Sequence, residues 1–164
     1  MNVKTELITF NTGMALENGH KLDSFELMVE SYGKLNKTKT NAILVCHAFS
    51  GNHHASGKNK VNEIGWWDEI IGPNKSIDTN KYYVVCCNNL GGCSGSSGPK
   101  SINPSSNKPY GSNFPLVTVS DWVNSQKMLM EKLDIPYWHF VVGGSLGGMQ
   151  ALQWAIAYPD KIKK

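Results

Sequence analysis

The chain has no arginine: all 16 of its basic residues are lysines. The net charge is only +3 and the lysines are scattered rather than gathered into a stripe, so nucleic acid is excluded as a partner. Cysteine is scarce. Cys46, Cys86 and Cys87 sit in strand-like apolar runs and Cys93 in a Gly/Ser loop, with no C-x-x-C pair. That spacing excludes a zinc cage, and the strand cysteines read as small, reduced core residues. No apolar run approaches the roughly 20 residues of a membrane span. Residues 1–6 lack the apolar stretch of a secretory leader. The expectation from these absences is a cytoplasmic protein with no bound metal and no membrane contact.

What is present is ordinary for one globular domain: 164 residues, 40% hydrophobic and 18% charged. No internal repeat is visible, and residues 1–164 read as one domain. Residues 5–10 and 25–32 alternate apolar with polar and predict antiparallel strands with one wet face. Gly13 and Asn18-Gly19 mark turns between them. Asn41 to His47, Tyr82 to Cys87 and Trp138 to Val142 are nearly continuous apolar runs, the pattern of buried parallel strands. Thr118 to Leu133 carries helical periodicity, with Val119, Trp122, Val123, Met128, Leu129 and Leu133 on one face and Thr118 or Ser120 as cap. A second helix is predicted over about 147–158, ending before Pro159. The long Gly/Ser/Pro/Asn stretch from Asn88 to Pro115 is the signature of a functional or disordered loop. Alternating strand and helix predict an α/β fold, a mostly parallel sheet fronted by an antiparallel hairpin.

The chemistry concentrates at Gly143-Gly144-Ser145-Leu146-Gly147. A G-x-S-x-G between a buried strand and a helix has the form of the α/β-hydrolase nucleophile elbow, which aims a serine hydroxyl out of a tight turn. Gly143 and Gly147 are expected to give the strained turn its room. Ser145 is therefore the candidate nucleophile. The backbone N–H groups of Leu146, which follows it, and of Phe49, in the loop after the first apolar run, are the candidate oxyanion hole. His47 reads chiefly as a hydrogen-bonded strand-end residue. His53-His54 lacks an acidic partner at helical spacing and is not read as a metal site. Asn88 to Gly98 lacks the Gly-Lys-Ser/Thr of a phosphate loop and is expected to shape the mouth of the site.

Ser31 to Asn36, Gly65-Trp66-Trp67-Asp68, Leu90-Gly91-Gly92-Cys93, Ser101-Ile102-Asn103-Pro104, Asp121-Trp122-Val123 and Gly143 to Trp154 follow one another in an order that resembles homoserine O-acetyltransferase of the α/β-hydrolase type. The resemblance covers nearly the whole chain. It implies acetyl transfer from acetyl-CoA, a co-substrate and not a bound cofactor, to the hydroxyl of L-homoserine through an acetyl-serine at Ser145. This is an amino-acid biosynthetic step on the methionine route. It also implies a homodimer. Two departures stand out: Phe49 where the family usually has Leu, and Ser120 where Arg is common.

In this fold the acid and the histidine of the triad follow the serine. Only 19 residues follow Ser145, none is histidine, and the only acid among them is Asp160. The resemblance therefore implies the N-terminal portion of such an enzyme. The helical lid, the triad Asp and His and the carboxylate-binding arginine would lie further on. The expectation for the isolated chain is no turnover, an unprotected edge along strand 138–142 and an uncovered flank on the second helix. Related acyl transfers of the same fold remain open, with succinyl donor or serine acceptor, as do an esterase and a non-catalytic fragment.

Overall fold

The computed structural model describes every residue from Met1 to Lys164. In chain order the strands are β1 (Val3–Phe10), β2 (Met14–Ala15), β3 (Lys21–Leu22), β4 (Phe25–Tyr32), β5 (Ala42–Cys46), β6 (Ile71–Gly72), β7 (Ile77–Asp78), β8 (Tyr83–Cys87), β9 (Ile102–Asn103), β10 (Lys108–Pro109) and β11 (Phe140–Gly143). Helix α1 (Val119–Lys132) precedes β11 and α2 (Leu146–Ala157) follows it. Five strands form the central sheet in the order β1-β4-β8-β5-β11. β1, β4 and β8 pair antiparallel, while β8, β5 and β11 pair parallel. The leading hairpin and the three apolar runs thus occupy the places their patterns predict. The two-residue ladders are additions that the sequence did not announce.

Period-2 alternation sorts the inner strands between two cores. Ala42, Leu44 and Cys46 of β5, with Val85 and Cys87 of β8, face Val123, Leu129, Met130 and Trp154 of the two helices. Ile43, Val45, Val84 and Cys86 face Tyr32, Ala55 and Ile71 on the other side, where the 55–77 segment closes the layer. With both faces covered, β5 is buried at every position. Helix α1 starts on a capping box: the Asp121 N–H donates to Thr118 Oγ1, and the Thr118 N–H donates back to the Asp121 carboxylate. Its buried face runs through Val123, Gln126, Leu129 and Met130, so it contains a glutamine that hydrophobic periodicity leaves out.

The outer edge of the sheet differs from expectation. The segment 161–164 begins a further parallel strand beside β11. The Trp138 N–H donates to the Lys161 C=O at 2.8 Å, and the Lys163 N–H donates to the Trp138 C=O at 2.9 Å. A weaker bond runs from the Val141 N–H to the Lys164 C=O at 3.2 Å. The start of the edge is therefore paired. All four β11 residues nonetheless remain only partly buried, and α2 presents Met149, Leu152 and Ile156 at 60–66% exposure.

An apolar stripe of this kind drives association. We expect the 164-residue polypeptide to bind a hydrophobic dye and to self-associate. Leu152→Lys with Ile156→Lys should suppress both while leaving the helical circular dichroism intact. A monodisperse, dye-silent parent chain would overturn this reading of the face.

Candidate active site

The turn carrying Ser145 is built by close packing at the carboxyl end of two parallel strands. Gly143 of β11 is in register with Cys46 of β5. A Cβ on Gly147 would lie 2.1 Å from the Cys46 carbonyl oxygen, and one on Gly143 would lie 2.5 Å from the Gly147 carbonyl carbon. No side chain survives such distances, so both positions require glycine. Gly144 meets nothing within 4 Å; its glycine is not demanded by space. Ser145 takes φ 54° and ψ −124° as the N-cap of α2, and its side chain makes no capping bond. A non-glycine residue in that region stores about 1–3 kcal/mol of strain. Here the strain leaves the side chain exposed.

The same register brings the two backbone donors together. Phe49 and Leu146 each lie three residues beyond a member of the paired Cys46 and Gly143, and both line one cleft of about 380 Å³. Its remaining walls come from His47, Ser50, Gly51, the Asn88–Ser94 loop, Val117 and Trp122, and it reaches the serine turn at Leu146, not at Ser145 itself. The stretch after β8 therefore shapes the mouth. It is ordered by Ser96, whose side chain joins Met28 to Asn88, and by the Glu26 N–H donating to Ser97 Oγ at 2.9 Å. The Phe49 N–H donates to no protein acceptor. The Leu146 N–H opens a helix, where no intrahelical acceptor exists, and the helix dipole there favours negative charge. A larger hollow of about 630 Å³ lies against β1 and β4, lined by Glu30, His53, His54 and Lys58, and does not include the serine turn.

None of the five histidines hydrogen-bonds Ser145. The His47 ring is buried, with Nδ1 2.7 Å from the Ala48 carbonyl oxygen and Nε2 accepting from the Asn89 N–H at 3.1 Å. Both nitrogens are spent. His54 Nδ1 sits 3.0 Å from the Glu30 carboxylate and its Nε2 3.2 Å from the Glu63 carbonyl. The acidic partner that helical spacing failed to supply thus comes from β4. His139 precedes β11, at the end of the strand remote from Ser145. No cluster of three or more His, Cys, Asp or Glu side chains is arranged to hold a metal. The strand cysteines are buried, and burial drives the Cys46 and Cys86 thiols well above their ordinary value and the Cys87 thiol up to about 12, which makes them inert. Cys93 is exposed at the mouth.

A second feature escaped the sequence. Trp154 Nε1 donates to Gln126 Oε1 at 2.7 Å, Gln126 Nε2 to Gln150 Oε1 at 2.6 Å, and Gln150 Nε2 to the His47 carbonyl at 3.5 Å. The network lies wholly inside the core and ties α1, α2 and the end of β5 together. Glutamine on a helix carries no periodic signal, so only packing reveals it.

A strained serine at a strand-to-helix turn, with two unpaired backbone N–H groups beside it, defines a class. Residues 41–164 match the alpha/beta hydrolase fold; the chain belongs to that family. Its relatives narrow the likeness. It is 56% identical to the homoserine O-succinyltransferase of Hahella chejuensis across 98% of this chain and 42% of that protein. Homoserine O-acetyltransferase from Bacillus anthracis superposes with a TM-score of 0.92 at 39% identity, over 99% of this chain and 45% of that one. Esterase E22 does so with the same score at 40% identity, over 99% and 46%. The resemblance to homoserine acyltransferases read from the sequence therefore holds, and the chain spans less than half the length of these relatives. No helix is long and apolar enough to cross a membrane.

Burial holds the His47 imidazole below its ordinary 6.5, and burial with the neighbouring His54 and His47 does the same to His53. Both bind protons more weakly folded than unfolded. The stability this represents is present above pH 6.5 and is lost as pH falls through the lowered folded values. We expect the urea midpoint of the Leu152→Lys, Ile156→Lys chain to hold steady above neutrality and to drop as pH falls below 6.5. That window lies above the one for Asp68 and Asp78, whose carboxyls are held low chiefly by the Gly57 and Asn74 N–H groups. A flat midpoint across the window would overturn it.

Proposed function

We propose that this chain supplies the nucleophile and the oxyanion hole for acyl transfer from an acyl-CoA to the side-chain hydroxyl of L-homoserine. The observation that carries the reading is the strained Ser145 turn beside the unpaired Phe49 and Leu146 N–H groups. Ser145 Oγ attacks the thioester carbonyl, the C–S bond breaks, and the serine proton leaves through a general base to the departing thiolate. The homoserine hydroxyl then attacks the acyl-serine and returns a proton to Oγ. In both steps the developing oxyanion is met by donors already in place. On this reading the base lies outside these 164 residues.

The acyl group is the finer question. Acetyl is the reading taken from the sequence, and the neutral walls of the cleft, with Leu90, Val117 and Trp122 among them, suit a methyl group. The name carried by the Hahella protein favours succinyl. The likeness to esterase E22 supports a second reading, in which water replaces homoserine as acceptor.

The test joins this chain to the remaining length of the Hahella relative and offers acetyl-CoA or succinyl-CoA with homoserine, serine or water. We expect a single acyl adduct by intact mass, discharged by homoserine and abolished by Ser145→Ala. An adduct on Ser96, Ser97 or Cys93 would defeat the assignment of the nucleophile. Discharge by water as fast as by homoserine would favour the esterase.

Phe49 is 87% exposed, so its side chain has little to lose, and Phe49→Leu should leave the acylation rate within a few fold. Phe49→Pro deletes the N–H and should slow acylation by ~10²–10³-fold. A folded Phe49→Pro protein with the parent rate would remove Phe49 from the oxyanion hole.

A further inference from the structure

We infer that His47 is a positioning residue that sets the direction of the Phe49 N–H, an inference that rests on the acyl-transfer reading above. The argument begins with one peptide plane. The carbonyl of Ala48 and the N–H of Phe49 belong to the same planar trans unit and point in opposite directions. Whatever holds the carbonyl therefore aims the N–H.

Two donors hold it. The Gly51 N–H reaches the Ala48 oxygen at 2.9 Å and closes the turn. His47 Nδ1 lies 2.7 Å from the same oxygen. A carbonyl can only accept, so Nδ1 carries the proton; the Asn89 N–H, 3.1 Å from Nε2, can only donate, so Nε2 is bare. The two contacts fix one neutral tautomer. Phe49 itself brings no anchor, since its side chain stands in solvent and its N–H bonds to nothing. The grip on Ala48 does that work.

His47 also couples the donor to the rest of the site. Its ring ties the oxyanion loop to the loop after β8 through Asn89. Its own carbonyl accepts from Gln150 of α2, the helix whose first turn holds Leu146. Space around it is tight: a Cβ on Gly51 would come within 2.9 Å of His47 Cβ. The two oxyanion donors, one on the loop after β5 and one at the start of α2, are thus referenced to one buried residue.

Asparagine places its amide where Nδ1 stands, and glutamine places its amide where Nε2 stands. They separate the Ala48 grip from the Asn89 link. In the protein joined to the Hahella remainder, His47→Phe should lower the rate of Ser145 acylation by ~10–10²-fold through kcat, with KM little changed. His47→Asn should restore most of that loss and His47→Gln little of it. Adding His47→Phe to Phe49→Pro should cost nothing further, because the donor it aims is already gone. Glutamine rescuing as well as asparagine, an unchanged rate in His47→Phe, or fully additive losses would each overturn the assignment. A purely structural role would move melting temperature without that order of rescue. The tautomer is read separately by long-range ¹⁵N correlation in the joined protein with labelled histidine, where Nε2 carrying the proton would refute the grip. If the parent protein forms no acyl adduct while His47 shows the Nδ1–H tautomer, the functional reading has failed and the geometry has not.

Discussion

The close approach of Gly147 to the Cys46 carbonyl is the contact on which the site depends. A helix can begin directly over the end of a neighbouring strand only if its first turn has no side chain at that point, and here the clearance is 2.1 Å for a hypothetical Cβ. That contact fixes where α2 starts, and hence where the Leu146 N–H points. It forces the bend that puts Ser145 at positive φ. It also brings the carbonyl end of β5, with His47 and the loop behind it, against the same turn. Strand register, serine conformation and both candidate oxyanion donors follow from one steric constraint.

Around that contact the protein uses buried polar groups where a simpler core would use leucine. Gln126, Gln150 and Trp154 are almost fully buried, and each spends its polar atoms on another member of the network. Buried amides are costly unless satisfied and directional when they are. They hold α1 and α2 at a set rotation about β5, which apolar contacts alone leave free to slide. Tyr32 plays the corresponding part on the other face, where its hydroxyl accepts from the Ala55 and Ser56 N–H groups at 2.7 and 3.0 Å and burial pushes its phenol far above the ordinary value.

Much of this was legible in the residues. The hairpin, the three inner strands, both helices and the strand–Ser–helix turn follow from period, glycine placement and capping chemistry, which are local. What was not legible is what depends on distant partners. His54 found Glu30 from a strand more than twenty residues away, which no local spacing encodes. The glutamine network sits on faces whose hydrophobic pattern leaves it out. The spacing predicts His47 as a satisfied strand-end histidine; its partner Asn89, across the cleft in the loop after β8, is not encoded by spacing. The pattern predicts a bare sheet edge, yet Trp138 pairs with Ile162 beyond α2, a partner for the unpaired N–H and C=O groups that an edge strand presents.

The pairing of β5 with β11 has a kinetic side. Cys46 and Gly143 are in register but lie about a hundred residues apart, and closing so long a loop comes before any contact rewards it. The antiparallel hairpin of β1 and β4 and the capped α1 are local and form without that cost. By that argument the serine turn is expected to be fixed after the hairpin and α1. A chain that collapses with β11 out of register with β5 would keep the hairpin and lose the serine turn.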